Sequence, residues 1–255
     1  FKTTFNWQAT NAHSIKAGIS ATFYDLKNTF YTIRNTYAGT ELESNNYKPI
    51  VMPDSTVYSD IYSVEPKEMS FFLQDKFERD EIVINFGLRY DTFDANTYFP
   101  SQRRNPINAS TYYLKNLDGT DSLDSNGNLV VDLQRMSEPV DSKVASQLSP
   151  RFGFAYQLGN VAVLHFSYGH FFQMPPMYAI YSNHSSIIGP TDYSTTVGNS
   201  NLANDSLGLN AQKTVSYEVG LWQQMGKNVS LEVNLYYRDI YDLLSLATVS
   251  TYNQV

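Results

Sequence analysis

Apolar and polar residues alternate with period two over much of the chain, a pattern that predicts β-strands. Phe1, Thr3, Phe5, Trp7 and Ala9 share one face, and Asn11-Ala12-His13 makes a turn. Ile15, Ala17, Ile19, Ala21 and Phe23 then oppose Lys16, Gly18, Ser20, Thr22 and Tyr24. A second hairpin runs through Met69, Phe71, Leu73, Asp75 and Phe77, turns at Glu78–Glu81, and returns as Ile82, Ile84, Phe86, Leu88 and Tyr90. A third joins Phe152, Phe154, Tyr156 and Leu158 to Ala162, Leu164, Phe166 and Tyr168 through Gly159-Asn160, a dipeptide suited to a tight turn. The fourth joins Val215, Tyr217, Val219 and Leu221 to Val229, Leu231, Val233, Leu235 and Tyr237 through Met225-Gly226-Lys227-Asn228. Across these eight strands Asp75 is the single charged residue in the apolar phase.

Two features separate this pattern from a soluble β-sandwich whose apolar face is its core. Several strands sustain ten or so residues, near the ~9–11 that cross a bilayer at a tilt, whereas strands in globular proteins average ~5–6. The turns within hairpins are short, while the connections between hairpins cover 25–66, 92–148 and 173–212. Structureless connections of that length are uncommon in compact domains. Short turns at one end and long loops at the other characterise outer-membrane barrels. The expected fold is therefore all-β, an antiparallel transmembrane β-barrel. Ile19, Ile84, Phe86, Phe154, Leu164, Val219, Leu231 and Val233 should face lipid, and the long loops should lie at the cell surface.

Composition agrees. Charged residues make up 17% of the 255, below the ~25% of soluble domains, and 20 Tyr with 15 Phe raise the aromatic share to 15%. A mean hydropathy of −0.35 is compatible with strands that are only half apolar. No stretch approaches the 18 or more apolar residues of a membrane helix, so a membrane span here requires a closed barrel. The absence of Cys excludes disulfides and thiolate metal sites. A net charge of −7 without a basic stripe argues against nucleic-acid binding. Phe1–Phe5 read as mid-strand with no signal peptide, and the chain stops in a polar stretch; the expectation is a fragment at both ends.

Several segments resemble a known family. Phe86-Gly87-Leu88-Arg89-Tyr90-Asp91 resembles the G-x-R-Y-D strand end of TonB-dependent receptors, and Leu148-Ser149-Pro150-Arg151-Phe152-Gly153-Phe154-Ala155-Tyr156 their L-S-P-R-x-G-x-x-Y strand. Tyr168-Gly169-His170-Phe171-Phe172-Gln173-Met174-Pro175 is similar to their strand-to-loop exit. Asn201-Leu202 and Lys213–Gly220 are similar to the segment ending Y-E-x-G, with its prolines missing and a longer spacer. The likeness covers most of 65–240 in a Bacteroidota-like style. It implies that residues 1–255 are a partial barrel domain, about eight strands of a barrel of about 22, whose plug domain and TonB box lie outside this chain. It implies uptake of a scarce solute across a Gram-negative outer membrane, with outer-membrane lipid and the TonB complex as partners and a surface lipoprotein lid as a further candidate. Alternatives in other classes are a passive porin-like channel, a structural barrel subunit of an envelope complex, and a secreted adhesin.

Candidate chemistry is sparse. His13, His165, His170 and His184 lack the i, i+4 spacing of a zincin helix; His165 falls in the lumen phase and His170 near the outer strand end. Asp118–Asn128 invites a calcium reading, but Leu133 stands where a bidentate Glu belongs, so a flexible turn is the commoner explanation. No catalytic residue, metal site or cofactor is expected. Arg89 and Arg151 project to the lumen at strand ends. They are candidates for an anionic substrate, or for pairing with Glu218, Glu232 or the plug. With His170, and with Tyr178 and Tyr181 in an aromatic loop stretch, they complete the candidate substrate-binding set.

Overall fold

A computed structural model describes residues 1–51, 59–100, 113–130, 132, 139–181, 200–201, 206–207 and 209–244. Eight strands form the main sheet: β1 (Lys2–Gln8), β2 (His13–Phe23), β7 (Lys67–Arg79), β8 (Ile82–Asp94), β11 (Ala145–Leu158), β12 (Ala162–Gln173), β15 (Gln212–Gln224) and β16 (Ser230–Tyr241). They are hydrogen-bonded in that order, every pair antiparallel. The four hairpins are those the alternation predicts. A strand of 13 residues, such as β7, β8 or β15, reaches about 43 Å at ~3.3 Å per residue, or about 30 Å along the normal at a 45° tilt. That matches the hydrocarbon thickness of a bilayer.

The register aligns the apolar phase across strands. Phe77, Ile84, Phe154, Phe166, Val219 and Leu235 form one transverse row. Gly18, Phe72, Arg89 and Ser149 belong to a row of the opposite phase. The polar phase lines the concave side of the sheet, where it bounds a trough of about 820 Å³. The apolar phase stays exposed, with Ile19 at 50%, Phe86 at 53% and Leu235 at 70%. β1 pairs only with β2 and β16 only with β15, so the sheet has two open edges among the described residues.

The connection at 159–161 turns through Gly159 at φ +60°, a left-handed conformation that glycine adopts without a Cβ clash. The other ends differ from the structureless loops expected there. The 25–66 connection folds as β3 (Leu26–Tyr31) on β6 (Ser59–Val64) and β4 (Ile33–Asn35) on β5 (Pro49–Val51). The second carries β9 (Tyr98–Pro100) paired with β10 (Pro139–Asp141), and the third the short helix α1 (Met177–Tyr181) and β13 (Ser200–Asn201) with β14 (Ser206–Leu207). In the described parts of these connections, local strand pairing supplies backbone hydrogen bonds that loop statistics alone do not anticipate.

Candidate functional site

The candidate site is the lumen-facing trough and the loops at its outer end. Arg89 is held in place: its Nε donates to Asp91 Oδ1 at 2.8 Å and Oδ2 at 3.0 Å, and an Nη2 contact at 2.8 Å closes the fork. The two side chains share a face because they are two residues apart on β8. Asp91 is buried, while the Arg89 side chain stays about a third exposed to the trough. This partner is neither Glu218 nor Glu232. Glu218 lies 3.9 Å from His165 Nε2, and Glu232 accepts a hydrogen bond from Asn234 Nδ2 at 3.0 Å. Arg151 lies with its guanidinium 5.0 Å from the centre of the Phe171 ring. Among the described residues it has no carboxylate within ion-pair distance.

The other three candidates separate. His170 pairs in register with Val215, which pairs with Asp239, and so stands in the outward phase and not in the lumen. Its Nε2 is 2.6 Å from Tyr168 Oη, next to a run of Tyr168, Tyr217 and Tyr237 whose rings lie 5.1 and 6.2 Å apart. This is the arrangement of an interfacial aromatic girdle. Tyr181 is fully buried: its hydroxyl donates to Ala95 O at 2.7 Å and its ring lies 5.7 Å from that of Tyr62. Burial pushes its phenol well above the ordinary tyrosine range. Its place is in packing, so of the aromatic loop pair only Tyr178, 68% exposed, is available to a ligand.

Sequence reading missed the residues that hold the loops together. Val64, Phe93, Ala95, Ile180 and Tyr181 form a buried cluster, flanked by Leu26, Tyr62, Ala145, Phe172, Met174 and Met177. It joins the first and third loops to the upper end of β8 and the residues after it, over the outer end of the sheet. The only signal was aromatic and aliphatic residues inside polar loops. Asp124 closes its own turn, accepting hydrogen bonds from Asn126 N and Asn128 N at 2.8 Å and Asn128 Nδ2 at 3.2 Å. Those bonds hold its carboxyl below the usual range. Leu133, His184 and Leu202 lie outside the described residues.

Similar proteins carry this architecture. The chain resembles the apoprotein form of the FrpB iron transporter from Neisseria meningitidis (F5-1 variant), with 14% identity, a TM-score of 0.50, and coverage of 96% of this chain and 29% of that one. It resembles the copper transporter OprC with 10% identity and a TM-score of 0.50, over 94% of this chain and 29% of that one. The ferric-catecholate import receptor Fiu from K12 E. coli aligns at 15% identity and a TM-score of 0.45, over 94% and 30% of the two chains. At such identities the likeness concerns the fold, and this chain spans about three tenths of those structures. The comparison with curated proteins gave no match. A model of the TonB-dependent receptor-like β-barrel family matches residues 1–255 from end to end. Together with four tight-turned hairpins, an apolar outer face and a polar concave one, this match means that the chain belongs to the TonB-dependent receptor-like β-barrel family.

Proposed function

We propose that this chain is a barrel-wall segment of a receptor that captures a scarce solute at its surface loops and imports it through the barrel. Family membership puts the wall in the outer membrane of a Gram-negative cell. The observation that carries the uptake reading is the joint placement of a polar trough on the concave face and a packed loop cap over one end of it. A wall lining a wide lumen needs both, whereas a closed eight-stranded barrel fills its interior with side chains. The open edges of β1 and β16 support this, because unpaired N–H and C=O groups in hydrocarbon cost several kcal/mol each and must be met by further strands. Coupling to TonB through a plug domain, contact with a surface lipoprotein lid, and the absence of catalysis in this segment belong to the same proposal.

Conductance distinguishes the receptor from a passive channel. The full-length protein in a planar bilayer should show no steady open-pore current, because the plug fills the lumen. A stable ohmic conductance would replace the receptor reading with the porin-like one.

A further inference from the structure

The chain contains no cysteine and six methionines, so its oxidisable sulfur is all thioether. Where each methionine stands decides what oxidation does to the fold. Met52 and Met136 lie outside the described residues. Met69 is in the lipid-facing phase of β7, and Met225 is 61% exposed in the tight turn between β15 and β16. Neither packs on the buried cluster of the cap. Met174 and Met177 do: both are partly buried against Val64, Phe93, Ala95, Ile180 and Tyr181. They bracket Pro175-Pro176 at the entry to α1, whose first turn closes as Ala179 N donates to Pro176 O at 2.8 Å.

A thioether at the rim of a buried cluster is reachable by a small oxidant while its methyl still belongs to the packing. The reaction needs only a peroxide. The sulfur lone pair attacks one peroxide oxygen, the O–O bond breaks, and an S–O bond forms. The departing hydroxide takes the proton from the new S–OH group and leaves as water; sulfur loses two electrons and the peroxide gains them. The product is a polar side chain where an apolar one was packed. Among the described residues the buried cluster has no donor to spare for the new oxygen. Val64, Phe93, Ala95 and Ile180 carry no polar side-chain atom, and the Tyr181 hydroxyl already donates to Ala95 O at 2.7 Å. The sulfoxide oxygen must stay unpaired against the cluster or turn out to solvent, taking its residue with it. Either course weakens the seat of α1.

We propose that Met174 and Met177 are an oxidation site in the loop cap, and that their sulfoxides release α1 and open the cap. With both thioethers reduced the cap is sealed; reduction of the sulfoxides reseats it. The test uses the folded full-length receptor in phospholipid nanodiscs, treated with hydrogen peroxide and read by peptide mass spectrometry and amide hydrogen exchange. Met225, exposed and away from the cluster, is the internal standard for oxidant access. Met174 and Met177 should convert to sulfoxide, and exchange at Val64 and Phe93 should then quicken about tenfold. The middles of β8 and β11 should not change. Methionine sulfoxide reductases A and B, one for each sulfoxide epimer, should restore slow exchange. The double variant Met174→Leu, Met177→Leu keeps the apolar volume nearly constant. It should hold slow exchange through the same peroxide treatment while Met225 still oxidises. The reductase arm needs no variant, so it decides even where the double substitution fails to fold.

Thioethers at 174 and 177 that survive while Met225 is fully converted would overturn the inference, since another part of the receptor would then cover them. So would sulfoxides at both positions with exchange at Val64 and Phe93 unchanged, or exchange that stays fast after the sulfoxides have been reduced. Equal quickening in the leucine variant would place the damage elsewhere and count against it too. Import enters none of these readouts, so the inference and the uptake reading can fail separately.

Discussion

Asp75 is the residue most at odds with its surroundings, a carboxylate in the outward phase opposite Ile15 and Phe86. The structure supplies the partner that the sequence did not suggest. His13 Nδ1 lies 2.8 Å from Asp75 Oδ2, while Oδ1 is buried without a hydrogen-bond partner among the described residues. With both side chains about two-fifths exposed, the pair contributes about 1 kcal/mol at most. His13→Leu should therefore destabilise the folded full-length receptor by about 1 kcal/mol by isolating the carboxylate. Adding Asp75→Leu should restore wild-type stability, since an apolar pair suits this face. Urea titration in bilayers measures both, and strictly additive losses would count against the pairing. The same titration separates the two faces of β16. Val233→Arg should cost about 2–4 kcal/mol near the midplane, and Asn234→Arg on the trough side much less.

Strand contacts constrain one glycine tightly. A Cβ at Gly220 on β15 would lie 2.1 Å from both Asn234 Oδ1 and His165 Cε1, one on each neighbouring strand. Gly220→Ala should cost about 1–3 kcal/mol through forced displacement of those side chains. Adding His165→Ala should recover part of it, which equilibrium unfolding of the two variants will show. At the loop end, α1 anchors the cap through a single buried hydroxyl. Tyr181→Phe leaves Ala95 O without its donor and should weaken the cap by about 0.5–1.5 kcal/mol. Hydrogen exchange should show faster opening at Val64 and Phe93, with the middles of β8 and β11 unchanged. Burial raises the Tyr181 pKa, so the folded cap binds the phenolic proton more tightly than the unfolded chain. Its stability is then full below the ordinary tyrosine value of about 10 and falls as pH rises beyond it. The Tyr181→Phe cap should lack that alkaline decline.

For the whole molecule, the unusual feature is where the interior lies. Among the described residues the buried apolar cluster is in the cap, while the sheet leaves Phe71, Phe86, Val219 and Leu235 exposed on its outer face. Such a sheet is stable only against lipid, and its two open edges require neighbouring strands. The turns at 80–81 and 159–161 lie at one end and the cap at the other. Protease added to intact cells should cut within 25–66, 92–148 or 173–212 and spare the tight turns. A cut at Gly159 in sealed cells would reverse this topology.

Alternation alone determined which residues form the four hairpins and which side of each strand is apolar, because side chains two apart share a face whatever surrounds them. The Gly159-Asn160 turn was legible for the same reason, its geometry being set by two residues. What the tertiary structure decided were relations between neighbouring strands: His13 beside Asp75, and Arg151 between two glycines. Those depend on inter-strand register, which a chain pattern of period two leaves free to slip by whole pairs. Tyr178 and Tyr181 show the same limit in a loop. Both read as candidate recognition residues in an aromatic loop stretch, and only the packing of α1 against Val64, Phe93 and Ala95 turned one of them inward.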